Sequence, residues 1–234
     1  TEMFVESINH ILDIWKKPAP YNLEGKYWNI STENHLVEET GQGIIVSPYQ
    51  KPHPPIVVTV VAPFSKGVIL AAERGWTPIS ANFLQPVWVA SHWPNYQKGC
   101  ELGGYEAKTK DWKVAKSIFV ADDEKTAQRY GKGPDGPYHF YFKQMMKKLI
   151  GNGRPDIFKH DRDMADSDVT LDYVLDSLVI AGTVDSVVEQ IEAFKEKTGD
   201  FGTLVYAAHD WVEPELSKRS MELMSKEVMP KLNQ

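Results

Sequence analysis

Apolar and polar positions along this chain fall into a recurring block: an apolar run, a short polar turn, then residues at helical spacing. The clearest block is Ile56-Val57-Val58-Thr59-Val60-Val61-Ala62, the turn Pro63-Phe64-Ser65-Lys66-Gly67, and Val68-Ile69-Leu70-Ala71-Ala72-Glu73-Arg74-Gly75. A β-branched run broken by one polar residue predicts a parallel strand buried on both faces. Trp76 to Ser80 predicts a short second strand, with a helix around Val87 to Cys100 and a turn at Gly103-Gly104. Val114 to Ala121 predicts a third strand, and Asp122-Asp123-Glu124 places acidic residues where a helix dipole favours them. Thr203 to Ala208 predicts the fourth strand. Before it, Val184, Val187, Val188, Ile191 and Phe194 mark an amphipathic helix with Thr183 as N-cap. Strand and helix in alternation imply a parallel sheet with helices outside.

The flanking segments read differently. Phe4, Val5, Ile8, Ile11, Leu12 and Trp15 lie on one face of an opening helix that Pro18 and Pro20 end. Tyr21 to Ile30 alternates around Gly25 as part of a hairpin, Glu33 to Gly43 is an exposed excursion, and Gln50 to Pro55 is a stiff extended lead-in. A long insertion follows the third strand. It holds Gly131 to Pro137, an aromatic helix with Phe140, Tyr141 and Phe142, and a polar surface loop from Gly151 to Ser167. Met221, Met224 and Val228 line a closing helix that Pro230 terminates.

Composition narrows the classes. The 234 residues are 42% hydrophobic and 25% charged, ordinary for a globular protein. A net charge of −6 with dispersed Lys and Arg argues against nucleic acid and an anionic membrane surface as partners. The single Cys100 excludes an internal disulfide framework and a multi-cysteine zinc site, and fits a reducing, cytoplasmic compartment. No apolar run approaches the roughly 20 residues a membrane helix needs. The chain opens with Thr1, so its natural start is expected to lie upstream.

Ser65, Lys66 and Gly67 are the leading candidates for chemistry. A hydroxyl, a small residue and the free N–H groups of a helix start together suit an anion; an ordinary N-cap is the alternative. Thr59 interrupts an aliphatic run, and a buried hydroxyl there needs a partner. The adjacent His209 and Asp210 suggest acid–base chemistry. Neighbours on a strand face opposite ways, so His209 enters the site and Asp210 caps or turns. His53 and His92 sit in no metal-ligand spacing and are read as structural; no metal is assigned. Trp88 and Trp93 are assigned to one helix outside the sheet. Gly131, Gly133 and Gly136 are read as loop glycines.

Five stretches in order resemble the bacterial-luciferase-like flavin monooxygenases, closest to the limonene and diketocamphane group. They are Glu24-Gly25-Lys26-Tyr27-Trp28, Lys51 to Ile56, Leu70 to Ser80, Gly182 to Val187, and Gly202-Thr203-Leu204 onward through Ala208-His209-Asp210 to Ser225-Lys226-Glu227-Val228-Met229-Pro230. The resemblance implies an α/β TIM (β/α)8 barrel in one domain over residues 1–234. This chain would hold its C-terminal half, strands five to eight, with the N-terminal half missing. It implies reduced FMN as co-substrate, O2, a peroxyflavin, and oxidation of a small apolar substrate of terpene or cyclic-ketone type. A separate flavin reductase and a homodimer are the implied partners. By the same resemblance Thr59, Ala62, Ser65, Lys66 and Gly67 bind the cofactor, with the FMN phosphate at the turn. Ser80, Asn82 and Phe83 lie at the barrel mouth. Ser80, Phe83, Tyr138 and Phe140 are the expected substrate pocket, with Tyr141 and Phe142 in the same aromatic lid, while packing of the insertion is the other reading of those aromatics. His209 is the candidate catalytic group. A deazaflavin-dependent oxidoreductase of the same superfamily and a non-catalytic flavin-binding protein stay open. A flavin-free hydrolase using His209 lacks paired carboxylates or a nucleophile elbow.

Overall fold

The computed structural model describes residues 2–209 and 212–233, which form two compact units, Thr1–Ile56 and Val57–Gln234.

The first unit holds α1 (Glu2–Lys16) and the expected hairpin as two short antiparallel strands, β1 (Asn22–Leu23) and β2 (Ile30–Ser31). The Glu6 carboxylate accepts backbone N–H groups from Lys26, Tyr27 and Trp28 at 2.8, 2.9 and 2.8 Å. A Cβ on Gly25 would stand 2.4 Å from Glu6 Oε1, so only glycine admits this clamp. Burial alone would raise the Glu6 carboxyl, but the N–H groups of Tyr27, Trp28 and Lys26 outweigh it and hold the group below its ordinary value. The apolar face expected of α1 is largely exposed at Phe4 and Ile11, and His10 and Ile14 are its buried residues. Its own unit offers only a two-residue-strand hairpin and loops to pack against.

The second unit runs β3 (Val57–Val60), α2 (Lys66–Glu73), β4 (Thr77–Ser80), α3 (Pro86–Ala90), α4 (His92–Gly103), β5 (Lys113–Val120), α5 (Glu124–Gly131), α6 (Pro137–Gly151), α7 (Leu171–Leu178), β6 (Val179–Gly182), α8 (Val184–Thr198), β7 (Thr203–Ala207), α9 (Pro214–Leu223) and α10 (Met229–Leu232). Among the described residues five strands make one wholly parallel sheet, where the sequence predicted four. The extra strand, β6, is the Val179–Gly182 segment leading into α8. Lys113 and Val114 of β5 pair with both β4 and β7, and Ser117 pairs with both Val179 and Ala207. β4 and β6 therefore share one edge of β5, end to end, with β7 on the other. The sheet is open rather than a closed barrel. β3 is accordingly not buried on both faces: Val60 is buried, but Val57 and Val61 are 42% and 41% exposed. Val57, Thr59 and Val61 lie on one face by the two-residue period of a strand.

Several local expectations change for identifiable reasons. The single helix over Val87 to Cys100 divides at Ser91, whose Oγ accepts the Phe64 N–H at 2.9 Å and donates to Trp88 O at 2.5 Å. α2 and α4 cross closely at Gly99, where a Cβ would meet Ile69 O at 2.4 Å. Thr183 does precede α8, but without a side-chain cap bond; Asp123 does cap α5, accepting the Thr126 N–H at 2.8 Å. Pro230 does not end the last helix. A π-helical turn over Met224–Val228 intervenes, and Pro230 lies at the start of α10, which continues directly from that turn. The stretch from Gly151 to Ser167 is more than a surface loop. Ile157, Phe158 and Lys159 are buried, Lys159 Nζ bridges Asp156 and Asp166 at 3.0 and 2.6 Å, and Trp88 Nε1 donates to Lys159 O at 2.7 Å. The main apolar core lies between sheet and helices around Leu84, Trp112, Phe119, Phe142 and Leu178.

Candidate active site

Toward the carboxyl ends of β4, β5 and β7, polar side chains from separate segments converge. Asn82 follows β4, His209 follows β7, and Ser117 lies in β5 opposite Ala207. Asn82 Nδ2 donates to Ser117 Oγ at 2.9 Å, and Ser117 Oγ stands 3.0 Å from His209 Nε2. Tyr141 of α6 donates its hydroxyl to Asn82 Oδ1 at 3.2 Å. The His209 ring stacks on Tyr141, with centroids 3.9 Å apart and planes at 22°, and meets Tyr138 edge-on at 4.9 Å. In parallel α/β sheets ligands bind at this end of the strands, where loops of independent sequence come together.

The hydrogen-bond order sets the state of His209. Ser117 Oγ accepts from Asn82; when its own proton goes to His209 Nε2, the ring hydrogen lies on Nδ1. Burial lowers the His209 pKa to about 4, so the imidazole is neutral at pH 7. Burial likewise raises the Tyr141 phenol, against the smaller opposing effect of Asn82, and raises Tyr138 further. The cluster thus presents neutral donors and acceptors on an aromatic frame rather than fixed charge.

The Ser65–Gly67 turn does open α2, with Ser65 at the N-cap position but its hydroxyl making no cap bond. Phe64 before it takes φ +51°, the left-handed region that non-glycine residues rarely enter. Asn95 Nδ2 holds the turn through Ser65 O at 3.0 Å. Gly67 has neither a positive φ nor crowding; a Cβ would meet Ser65 Oγ at 3.4 Å, ordinary contact. Nothing in the protein's own packing requires glycine here. The Lys66 side chain is exposed.

Other expected residues are placed less centrally. Ser80 is turned into the core, where its Oγ lies 2.8 Å from His92 Nδ1 and accepts from Trp112 Nε1 at 2.9 Å; it is a buried hub and not a pocket wall. His92 Nε2 in turn donates to Ala62 O at 2.9 Å, so both His92 and the Ala62 carbonyl are structural. His53 bonds Pro54 O through Nδ1 at 2.8 Å. Thr59 is exposed, so its hydroxyl needs no buried partner. Phe83 packs on the core, Tyr138 is buried with its hydroxyl on Ile118 O, and Phe140 is 63% exposed. Trp88 and Trp93 fall on different helices, and Trp93 stacks on Trp112 at 5.8 Å. Cβ atoms on Gly131, Gly133 and Gly136 would lie 2.7, 2.2 and 2.0 Å from neighbouring atoms, so close packing explains these glycines. Asp210 lies outside the described residues. Ser117 is the functional candidate the sequence reading missed. Its signal was the polar pair Lys116-Ser117 inside an otherwise apolar strand, which must send one polar group to each face.

No protein-family model matches the chain. It is 31% identical to 3,6-diketocamphane 1,6-monooxygenase of Pseudomonas putida over 99% of this chain and 62% of that protein. It also matches 2,5-diketocamphane 1,2-monooxygenase 1 of the same organism, at 26% identity over 76% of the chain and 49% of that protein. The solved oxygenating constituent of 3,6-diketocamphane monooxygenase from Pseudomonas putida is described as a type II Baeyer–Villiger monooxygenase in complex with FMN. It superposes with a TM-score of 0.79 at 31% identity, over 98% of this chain and 63% of that one. The chain is related to the luciferase-like flavin monooxygenases. It spans less than two thirds of the length of the relatives it matches. A coenzyme F420-dependent tetrahydromethanopterin reductase from Methanopyrus kandleri shares the fold at a TM-score of 0.63 and 18% identity.

Proposed function

We propose that this chain forms the C-terminal part of a single-domain, FMN-dependent monooxygenase with a luciferase-like barrel, which oxidises a small apolar organic molecule of terpene or cyclic-ketone type. The observation that carries this is the match over nearly the whole chain to an oxygenase constituent in complex with FMN. The residues present fit the cofactor. The uncommitted Ser65 hydroxyl, the unhindered Gly67 and the positive end of α2 suit a phosphate, and Lys66 adds a cation there. The exposed face of Val57, Thr59 and Val61 suits an apolar ring system.

Reduced FMN with O2 would supply the oxidising chemistry. The chain's own part is to bind, orient and exclude water. His209, neutral and held by Ser117, would offer its Nδ1 hydrogen to an oxygen at the mouth; Tyr138 and Tyr141 fix the ring plane. Tyr141 also orients Asn82, which donates to Ser117 Oγ. A separate reductase would deliver the reduced flavin. A homodimer and a cytoplasmic setting belong to the same reading, the latter supported by the single buried cysteine. Among the described residues no helix is long and apolar enough to cross a membrane.

The test is an anaerobic titration of the full-length protein with reduced FMN and with reduced riboflavin, followed by an air pulse in the presence of terpenes and cyclic ketones. Reduced FMN should bind and an oxygenated product should form. Ser65→Ala should weaken FMN roughly tenfold to a hundredfold, the loss of one charge-assisted hydrogen bond, and leave riboflavin unchanged. Failure of reduced FMN to bind overturns the reading. An equal loss for both flavins removes the phosphate from this turn.

A further inference from the structure

Lys116 is the other half of the polar pair in β5, and the flavin reading makes no use of it. It is buried to 1% exposure on the helix side of the sheet, with Nζ 4.8 Å above the Phe194 ring of α8. Buried lysines ordinarily have an acidic partner. Among the described residues Lys116 has no ion pair or hydrogen bond at Nζ, yet no sealed side-chain nitrogen lacks a partner there. Nζ therefore keeps a small opening. Lys116 and Phe194 both belong to the wall of a cavity of about 190 Å³, which points to the cavity as that opening.

The cavity is bounded by β6 and α8, with Val179, Ile180, Ala193 and Phe194 as its apolar wall. Its other charged groups are Lys197 of α8 and Asp176 of α7. Asp176 does not serve Lys116: neither of its oxygens comes within ion-pair distance of Nζ, and its Oδ1 is paired with Lys132 Nζ at 3.1 Å. Gln190 is committed to Ala181 O at 3.0 Å, and Ser177 donates to Tyr173 O at 2.8 Å. The balance of the site is an unpaired amine in an apolar wall, with a second lysine on the lining.

We propose that this cavity binds a short-chain carboxylate, with Lys116 as its buried counter-ion and the aliphatic tail against Ile180, Ala193 and Phe194. The ligand supplies the missing acid, and the size of the cavity limits it to a few carbons: at ~30 Å³ per water the space holds about six waters. A carboxylate arriving beside Nζ favours the ammonium, so binding takes up a proton wherever the empty site is deprotonated. Burial brings the Lys116 pKa down to about 7 in the empty site, which places that proton uptake in the accessible range above neutrality.

The test is calorimetric titration of the full-length protein with butyrate and with the isosteric butyramide, at pH 8 in two buffers of different ionisation enthalpy. Butyrate should bind with uptake of close to one proton, and butyramide at least tenfold more weakly, since it lacks the charge. Lys116→Met should lose butyrate binding at least tenfold while keeping a native near-ultraviolet dichroism spectrum. The amide comparison needs only the unmodified protein, so it decides the matter even if the variant does not fold. No butyrate binding, equal affinity for acid and amide, or binding without proton uptake would each overturn the proposal. The result is independent of whether FMN binds.

Discussion

Replacing Lys116 by methionine should make the protein more stable, although it deletes a buried side chain that packs on Phe194. Burial in an apolar wall moves the amine from its ordinary 10.5 to about 7. At about 1.4 kcal/mol for each tenfold change in proton affinity, holding this lysine inside costs on the order of 4 kcal/mol at pH 7. Methionine has a similar length, needs no counter-ion and packs against Phe194. Allowing for the lost contact between Nζ and the ring, roughly 1–2 kcal/mol, a net gain of about 2–3 kcal/mol is expected. The pH dependence is the sharper signature. Between about 7 and 10.5 the unfolded chain binds the proton and the folded chain does not, so the native protein gains stability as pH rises through that window. The variant lacks this dependence. Urea unfolding of both proteins at pH 7 and pH 9.5 reads it directly: the advantage of the variant should shrink by on the order of 3 kcal/mol at the higher pH. A variant less stable at pH 7, or an advantage unchanged between the two pH values, would refute the argument that Lys116 is an unpaired buried base.

Two further outcomes follow from the buried polar groups. Ser80→Ala strips a partner from both His92 Nδ1 and Trp112 Nε1; thermal unfolding should show a loss of about 2–4 kcal/mol, whereas the substrate KM of whatever protein remains folded should be unchanged, and a selective KM effect would return Ser80 to the pocket. His209 is held to about 4 against an ordinary 6.5, so the unfolded chain protonates first as pH falls. Stability should therefore decline from pH 6.5 toward 4, by on the order of 2 kcal/mol after allowing for its remaining contact with solvent. His209→Gln should flatten that part of the pH profile in chemical denaturation, and a profile identical to the parent's would show that the imidazole is solvated.

Much of this protein is decided by local pattern. The runs at β3, β5 and β7, the acidic start of α5 and the turn that opens α2 are readable from spacing alone, because each depends on side-chain alternation or on a helix end a few residues away. β6 was not legible: Val-Ile-Ala-Gly is too short and too close to a helix start to declare itself, and it becomes a strand because the free upper edge of β5 lies beside it. The fate of each polar residue was likewise not local. Ser80 and Ser117 are both fully buried serines in parallel strands, yet one bonds His92 and Trp112 while the other joins Asn82 and the half-buried His209. The strand period says only that neighbours face opposite ways. Which face meets helices, and which meets the mouth, is settled by strand order and by what packs above each strand, and so only the tertiary structure distinguishes a core hub from a candidate site.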